Sequence, residues 1–257
     1  VPIRRAALSS DNITTVPSER PVTNPLPSLL VLGSKPDPAL PPAEAFEALA
    51  CANASGYSAA RCGLPAPTYT VLSAILTSGK ASGSESIRAL SGLETDTVYF
   101  LPRPPKGNNA PKRLLNAALG LRMHPAVLRS RLKAVSYRYS HFADQGWRWY
   151  RDLLHELCEQ DHEIIEQVAR KHPSSGIVAL AIGLAQGRYQ RFIVAGFSFE
   201  VTHGYGANPE VAERGSAHSR HADTDIAVIR CLARKHGNIF TTEKIVHART
   251  QIPMLGD

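Results

Sequence analysis

Cysteine is sparse in this chain and never paired in spacing. Cys51, Cys62, Cys158 and Cys231 are scattered without a C-x-x-C repeat. That pattern argues against a disulfide framework or a thiolate zinc site, and for reduced, mostly buried thiols in a cytoplasmic protein. No apolar run reaches the roughly 18–20 residues of a transmembrane helix. No secretory signal pattern is visible in a sequence that starts at Val1. Neither G-x-G-x-x-G nor a P-loop occurs, so the common glycine-rich phosphate fingerprints are missing. Acidic residues are missing from one long interval, Thr97 to Phe142. That interval carries Arg103, Lys106, Lys112, Arg113, Arg122, Arg129, Arg131, Lys133 and Arg138. Aromatic residues follow closely, among them Tyr137, Tyr139, Phe142, Trp147, Trp149 and Tyr150. A basic surface flanked by aromatics suits anionic lipid headgroups or an anionic glycan. An ordinary solvated helical face is the plain alternative. Such a surface would also suit nucleic acid, and a non-enzymatic basic module that docks on a membrane or nucleic acid is a further alternative, but no recognised nucleic-acid motif is present, so nucleic acid is not expected as a partner.

What is present is an ordinary globular composition. The 257 residues are 43% hydrophobic, enough for one large α/β domain with a full core. The net charge of +7 favours an anionic partner.

Residues 1–28 are rich in Pro, Ser, Thr and Arg and read as a flexible arm; the domain is expected over 29–257, with an insertion over about 102–172. Leu29 to Gly33 reads as a buried strand ending in glycine, and Ser34-Lys-Pro-Asp-Pro38 as the turn after it. A strand closed by a Gly turn is a common nucleotide site at the carboxyl edge of a parallel sheet. Ala48 to Asn53 is a second such strand, ending in an amide. Tyr69–Leu72 and Thr97–Leu101 are strand-like, joined by a Ser/Gly-rich link from Thr77 to Ser86. Trp147 to Lys171 reads as one or two helices. Ser174 or Ser175 caps a helix of small residues. Gln190 to Gly196 is a further strand closed by glycine, and Asn238 to Thr241 the last. Strands that alternate with helices predict a mainly parallel sheet.

One stretch concentrates chemistry. Gly215 to Ile226 holds His218, His221, Asp223 and Asp225 together with serines and Arg220. The apolar residues that follow have helical spacing, and Asp223 or Thr224 is the expected N-cap. The polar cluster then lies at a helix N-terminus, where N–H groups and the macrodipole favour an anion. His221 and Asp225 are four apart; if the helix starts early enough they share a face, which pairs a carboxylate with an imidazole as in a general base. A solvated loop before a capped helix is the plain alternative. The same four side chains also suit a metal-dependent hydrolase, although the second ligand cluster such a site needs is not evident.

Taken in order, these segments resemble the bacterial sialyltransferases of glycosyltransferase family 42 and their relatives, from about Leu29 to about Thr242. The residues that carry the resemblance are strand-Gly33, strand-Asn53, Ser175-Gly176-Ile177 with Gly187, Gly196-Phe197-Ser198-Phe199, and the block from His221 to Leu232. The resemblance implies a Rossmann-like α/β/α sandwich with a helical, basic lid. It implies transfer of sialic acid from a CMP-sugar donor to a glycan or glycolipid hydroxyl, with no catalytic metal and no cofactor. Gly33 and Ser34 are then near the donor phosphate or ribose, and Asn53 is on the cytidine side. Ser175 and Gly176 contact the nucleotide, with Gly196 and Ser198 lining the same edge. Tyr205 steadies the departing phosphate, and His221 is the base, with His218 competing for that role. Three departures bear on the donor. The family's Gly-Asn-Gly-Pro-Ser is here Gly33-Ser-Lys-Pro-Asp37, Glu200 stands where a second tyrosine is usual, and His221 is one residue closer to Asp225. A CMP-Kdo donor is therefore an alternative, with retention of configuration and a carboxylate nucleophile such as Asp223 or Glu200. A cytoplasmic protein, peripheral on the inner membrane, is the expected setting.

Overall fold

A computed structural model describes residues 26–103, 123–200 and 219–256. Its strands are β1 (Ser28–Leu32), β2 (Ala48–Ala52), β3 (Tyr69–Ser73), β4 (Glu94–Leu101), β5 (Arg138–Ala143), β6 (Arg191–Ala195) and β7 (Ile239–Thr241). All described pairings are parallel, in the order β5-β4-β3-β2-β1-β6-β7. The chain moves outward from β1 to β5, then crosses back over β1 to lay down β6 and β7. The order therefore reverses between β1 and β6, and in open parallel sheets ligands bind in the crevice outside the strand ends at that reversal.

Burial on both faces explains why the central strands are continuous apolar runs. In β1, Leu29 and Val31 face one core cluster, while Leu30 and Leu32 face another on the opposite side. The larger cluster is covered by α4 (Gly146–Leu157), α5 (His162–Arg170), α6 (Ser175–Ala185), α7 (Ala222–His236) and α8 (Lys244–Thr250). The other face is covered by α1 (Ser55–Arg61) near β1 and β2, and by α2 (Ala81–Ala89) and α3 (Pro125–Ala134) near β3 and β4.

Helix α6 is apolar all round because it is buried all round, as a central helix must be. A Cβ on Gly183 would come 2.5 Å from Leu29 Cδ2, so glycine lets the helix lie directly on β1. The buried Tyr69 hydroxyl donates to the Ala179 carbonyl at 2.8 Å, fixing α6 over β3 as well. Each such fully buried aliphatic side chain contributes about 1.5–3 kcal/mol. Helix α7 has Asp223 and Asp225 in its first turn and Arg234, Lys235 and His236 in its last, which complements its dipole. Gly237, with φ 67°, ends it in the left-handed conformation that glycine adopts without strain.

Four sequence readings change. The Ser/Gly-rich link after Thr77 contains α2, whose contribution to the core is chiefly Ile87. The basic stretch after α3 forms β5, the exposed edge strand. Helix α7 begins at Ala222 with His221 at the N-cap position, earlier than the expected Asp223 or Thr224. Ser28, expected in the arm, is the first residue of β1; residues 1–25 lie outside the described residues. Within the stretch 102–172, residues 104–122 lie outside the described residues. Residues 123–172 include β5 and α4, and Tyr150, Leu153 and Leu154 of α4 are in the main core. Cys51, Cys158 and Cys231 are buried, Cys62 is exposed, and all four are free thiols.

Candidate functional site

The carboxyl ends of β1, β2 and β6 and the N-terminus of α6 converge at the reversal point. Gly33 follows β1 and Gly196 follows β6, and the two backbones touch. A Cβ on Gly33 would be 2.3 Å from the Gly196 carbonyl oxygen, so only glycine allows this approach. The Gly33 N–H donates to the Ala195 carbonyl at 2.8 Å, and the Lys35 N–H donates to the Gly196 carbonyl at 2.9 Å. Gly196 itself has φ 71°. Its N–H donates to Oε1 of Glu243 at 3.1 Å. Both polar backbone groups of Gly196 are thus engaged within the protein, so its role in the crevice is steric. Ser34 sits half-buried beside Gly33 at the same edge.

Asn53 ends β2 with φ 51°, a left-handed conformation that asparagine tolerates. Its side-chain oxygen accepts from the Ser73 N–H at 3.0 Å and from the Ser175 hydroxyl at 3.4 Å. The Ser73 N–H can only donate, so the oxygen is on that branch and the two amide N–H donors are on the other. Asn53 therefore ties the ends of β2 and β3 to the first turn of α6.

The segment from His172 to Gly176 is the hub. The His172 carbonyl accepts from Nδ1 of His221 at 2.8 Å. The Ser174 N–H donates to Oδ1 of Asp225 at 2.8 Å. Ser175 reaches Asn53, and a Cβ on Gly176 would be 2.6 Å from the Phe197 ring that follows Gly196. The rings of Trp147, His172 and His221 pack in series, Trp147 edge-on to His172 at 5.5 Å between centroids and His172 tilted against His221 at 5.4 Å.

This geometry assigns a tautomer. A carbonyl can only accept, so the neutral imidazole of His221 carries its proton on Nδ1 and its lone pair on Nε2. Burial lowers the His221 pKa from its usual 6.5; the His172 carbonyl opposes this, and the charges of Lys171 and Arg220 add to it. The imidazole is therefore neutral near pH 7, with Nε2 able to take a proton.

The expected pairing of His221 with Asp225 does not form. The imidazole is oriented by the His172 carbonyl, and the Asp225 carboxylate turns to the N-terminus of α6 instead. Asp225 is only 5% exposed. Burial raises its pKa to about 7, against the lowering effect of the bonds from Ser174. Asp223, one residue from the buried Thr224, is exposed. Ser198 lies at the rim, where its hydroxyl accepts from the N–H of the exposed Glu200 at 3.3 Å. Tyr205 and His218 lie outside the described residues. Among the described residues, no group of three or more His, Cys, Asp or Glu side chains is placed to hold a metal ion.

Two contributors had no clear signal in the sequence. His172 acts through its carbonyl, which any residue supplies. Glu243 follows β7 and reaches back to the loop after β1, a contact of 204 residues' separation to Ala39.

No family model matches the chain, and no curated protein matches it in sequence. Solved structures do. A variant of the sialyltransferase CstII in complex with CMP aligns over 89% of this chain and 86% of its own, at 12% identity and a TM-score of 0.51. CstII from Campylobacter jejuni with the substrate analogue CMP-3FNeuAc aligns over 89% and 86%, at 12% identity and a TM-score of 0.47. The monofunctional alpha-2,3-sialyltransferase Cst-I from the same organism aligns over 92% and 84%, at 13% identity and a TM-score of 0.39. A shared fold follows from the first alignment: this chain has the α/β fold of the sialyltransferase CstII.

Proposed function

We propose that the chain is a glycosyltransferase that takes a CMP-activated sialic or related ulosonic acid as donor and a glycan or glycolipid hydroxyl as acceptor. The observation that supports this reading is the meeting of Gly33, Asn53 and Ser175 at the reversal of a sheet that shares its fold with a CMP-bound sialyltransferase, with His221 bonded to the His172 carbonyl three residues before Ser175. The Asn53 amide and the N-terminus of α6 supply donors for the nucleotide. His221 supplies the base. The acceptor oxygen forms a bond to the anomeric carbon as the bond from that carbon to the phosphate oxygen breaks. The electron pair leaves with CMP, and the acceptor proton passes to Nε2 of His221. A positioned base of this kind is typically worth about 10²–10⁴-fold. The reading needs no metal, because CMP departs with a single phosphate whose charge local hydrogen-bond donors can meet.

A thermal-shift series with CMP, CTP, UDP, GDP and ADP tests the donor class. A ligand that binds only the folded state raises the melting temperature by mass action. CMP and CTP are expected to stabilise most. Stabilisation by UDP far above that by CMP would overturn the proposal.

A further inference from the structure

We propose that Lys35, braced by Glu243, is the cation that meets the donor's phosphate at the β1/β6 crevice. This rests on the CMP-donor reading and goes beyond it by naming the residue that distinguishes the phosphate from the nucleoside. Lys35 is two residues beyond Gly33, and its N–H is fastened to the Gly196 carbonyl at 2.9 Å. Its ammonium lies 2.5 Å from Oε2 of Glu243. The other carboxylate oxygen accepts from the Ala39 N–H at 2.9 Å and from the Gly196 N–H at 3.1 Å. Glu243 is held through its backbone as well, since its own N–H donates to the Thr241 hydroxyl at 3.0 Å. Its side chain is 3% exposed, whereas that of Lys35 is 31% exposed.

Fixation of the carboxylate and exposure of the ammonium make the pair asymmetric. An ammonium has three N–H donors, and the ion pair uses one direction of them. The remaining donors belong to a group held at the crevice mouth and still open to solvent. The Gly196 N–H, which in many strand-end sites faces an anion, is here turned to Glu243. The ammonium carried in on the same carboxylate takes its place. A braced lysine also suits the reaction. Negative charge grows on the phosphate as the bond to the anomeric carbon breaks, and a preoriented cation gains most from charge that develops in the transition state.

The test measures the affinities of CMP and cytidine for the whole chain by calorimetry, for wild type, Lys35→Met and Lys35→Gln. The glutamine amide can still donate to Oε2 of Glu243, so Lys35→Gln keeps the loop fastened and removes only the charge. Wild type should prefer CMP to cytidine. Both variants should lose about tenfold or more in CMP affinity, the scale of a charge-assisted hydrogen bond, with cytidine affinity unchanged within about twofold. If Lys35→Gln restores the wild-type preference while Lys35→Met does not, the pair is only a loop fastening and the inference falls. It also falls if both variants keep the preference for CMP. If wild type binds neither ligand, the CMP-donor reading itself fails, and this inference with it.

Discussion

His221 shows how little of a residue's role is fixed by its sequence neighbours. Its partner is a carbonyl 49 positions earlier, not the carboxylate one turn later. The consequence is an imidazole with a fixed tautomer and a lowered pKa. If His221 is the proposed base, His221→Ala is expected to reduce transfer by about 10²–10⁴-fold while CMP affinity stays within about twofold, because the proposed nucleotide contacts at Gly33, Asn53 and Ser175 lie on other elements. As pH falls, Nε2 protonates and the base is lost, so the acid limb of the wild-type rate should lie below the ordinary 6.5 of imidazole. Full activity in the alanine variant would exclude histidine base catalysis and favour a carboxylate nucleophile. At Asp225 burial shifts the pKa upward instead. Its folded pKa, about 7, lies above the ordinary 3.8, so between those values the folded chain holds a proton that the unfolded chain releases. The Asp225 contribution to stability therefore falls as pH rises through that window. Asp225→Asn does not titrate and can still accept from the Ser174 N–H. It should melt above wild type at pH 8, and the gap should shrink toward pH 5. A variant less stable than wild type at pH 8 would show that the ionised carboxylate is favoured there by more than the Ser174 bond.

At the scale of elements, the legible ones are those whose side chains announce burial. β1, β2, β3, β6, β7 and the second half of β4 are mainly apolar, several closed by Gly33, Asn53 or Gly196, and each is found within a few residues of its expected place. β5 was not legible because an edge strand with Arg138, Ser140 and His141 exposed has no apolar signature. α2 was not legible because a Ser/Gly composition speaks for a loop, yet Ile87 and the neighbouring Leu90 pack it onto the sheet. Two glycines then differ by what surrounds them. Gly33→Ala forces its Cβ against the Gly196 carbonyl, and neither strand end can move without breaking the Gly33–Ala195 bond. We expect a loss of about 1–3 kcal/mol from such overpacking, together with most of the CMP affinity. A methyl group on Gly56, inside α1, would meet only Leu90 Cδ2, at an ordinary contact distance of 3.8 Å. Gly56→Ala should therefore be neutral or stabilising by roughly 0.5–1 kcal/mol. Denaturant unfolding of both variants measures the contrast; equal losses would mean that the crevice is not a close backbone contact.

For the whole molecule, the sequence held the strand ends and their residues but not the strand order. Gly33, Asn53, Ser175, Gly176 and Gly196 are all legible as termini of elements. That they meet follows only once β6 is placed beside β1, a pairing of Ser28 with Arg191 and of the residues after them that no local pattern encodes. The basic interval was legible as charge, and the structure divides what is described of it. Arg129 lies over the Phe142 ring at 4.3 Å, Arg131 reaches the Leu76 carbonyl, and Arg138 pairs with Glu94. Lys133, on α3, is exposed beside them. Arg129 and Arg138 meet β5, and Arg131 and Lys133 lie on α3, which packs near β3 and β4; all are on the far side of the sheet from the β1/β6 crevice in the strand order. A surface contact at that edge would therefore leave the donor crevice free. We expect the chain to bind vesicles that contain anionic lipid more tightly than neutral ones, and to lose that preference as added salt shortens the screening length below the physiological value of about 8 Å. Lys133→Glu should weaken the binding by about fivefold or more, since one basic residue near an anionic surface is worth about 1 kcal/mol. Its CMP affinity should match wild type. Co-sedimentation with the two vesicle types reads the effect, and equal binding to both would remove the electrostatic contact at this edge.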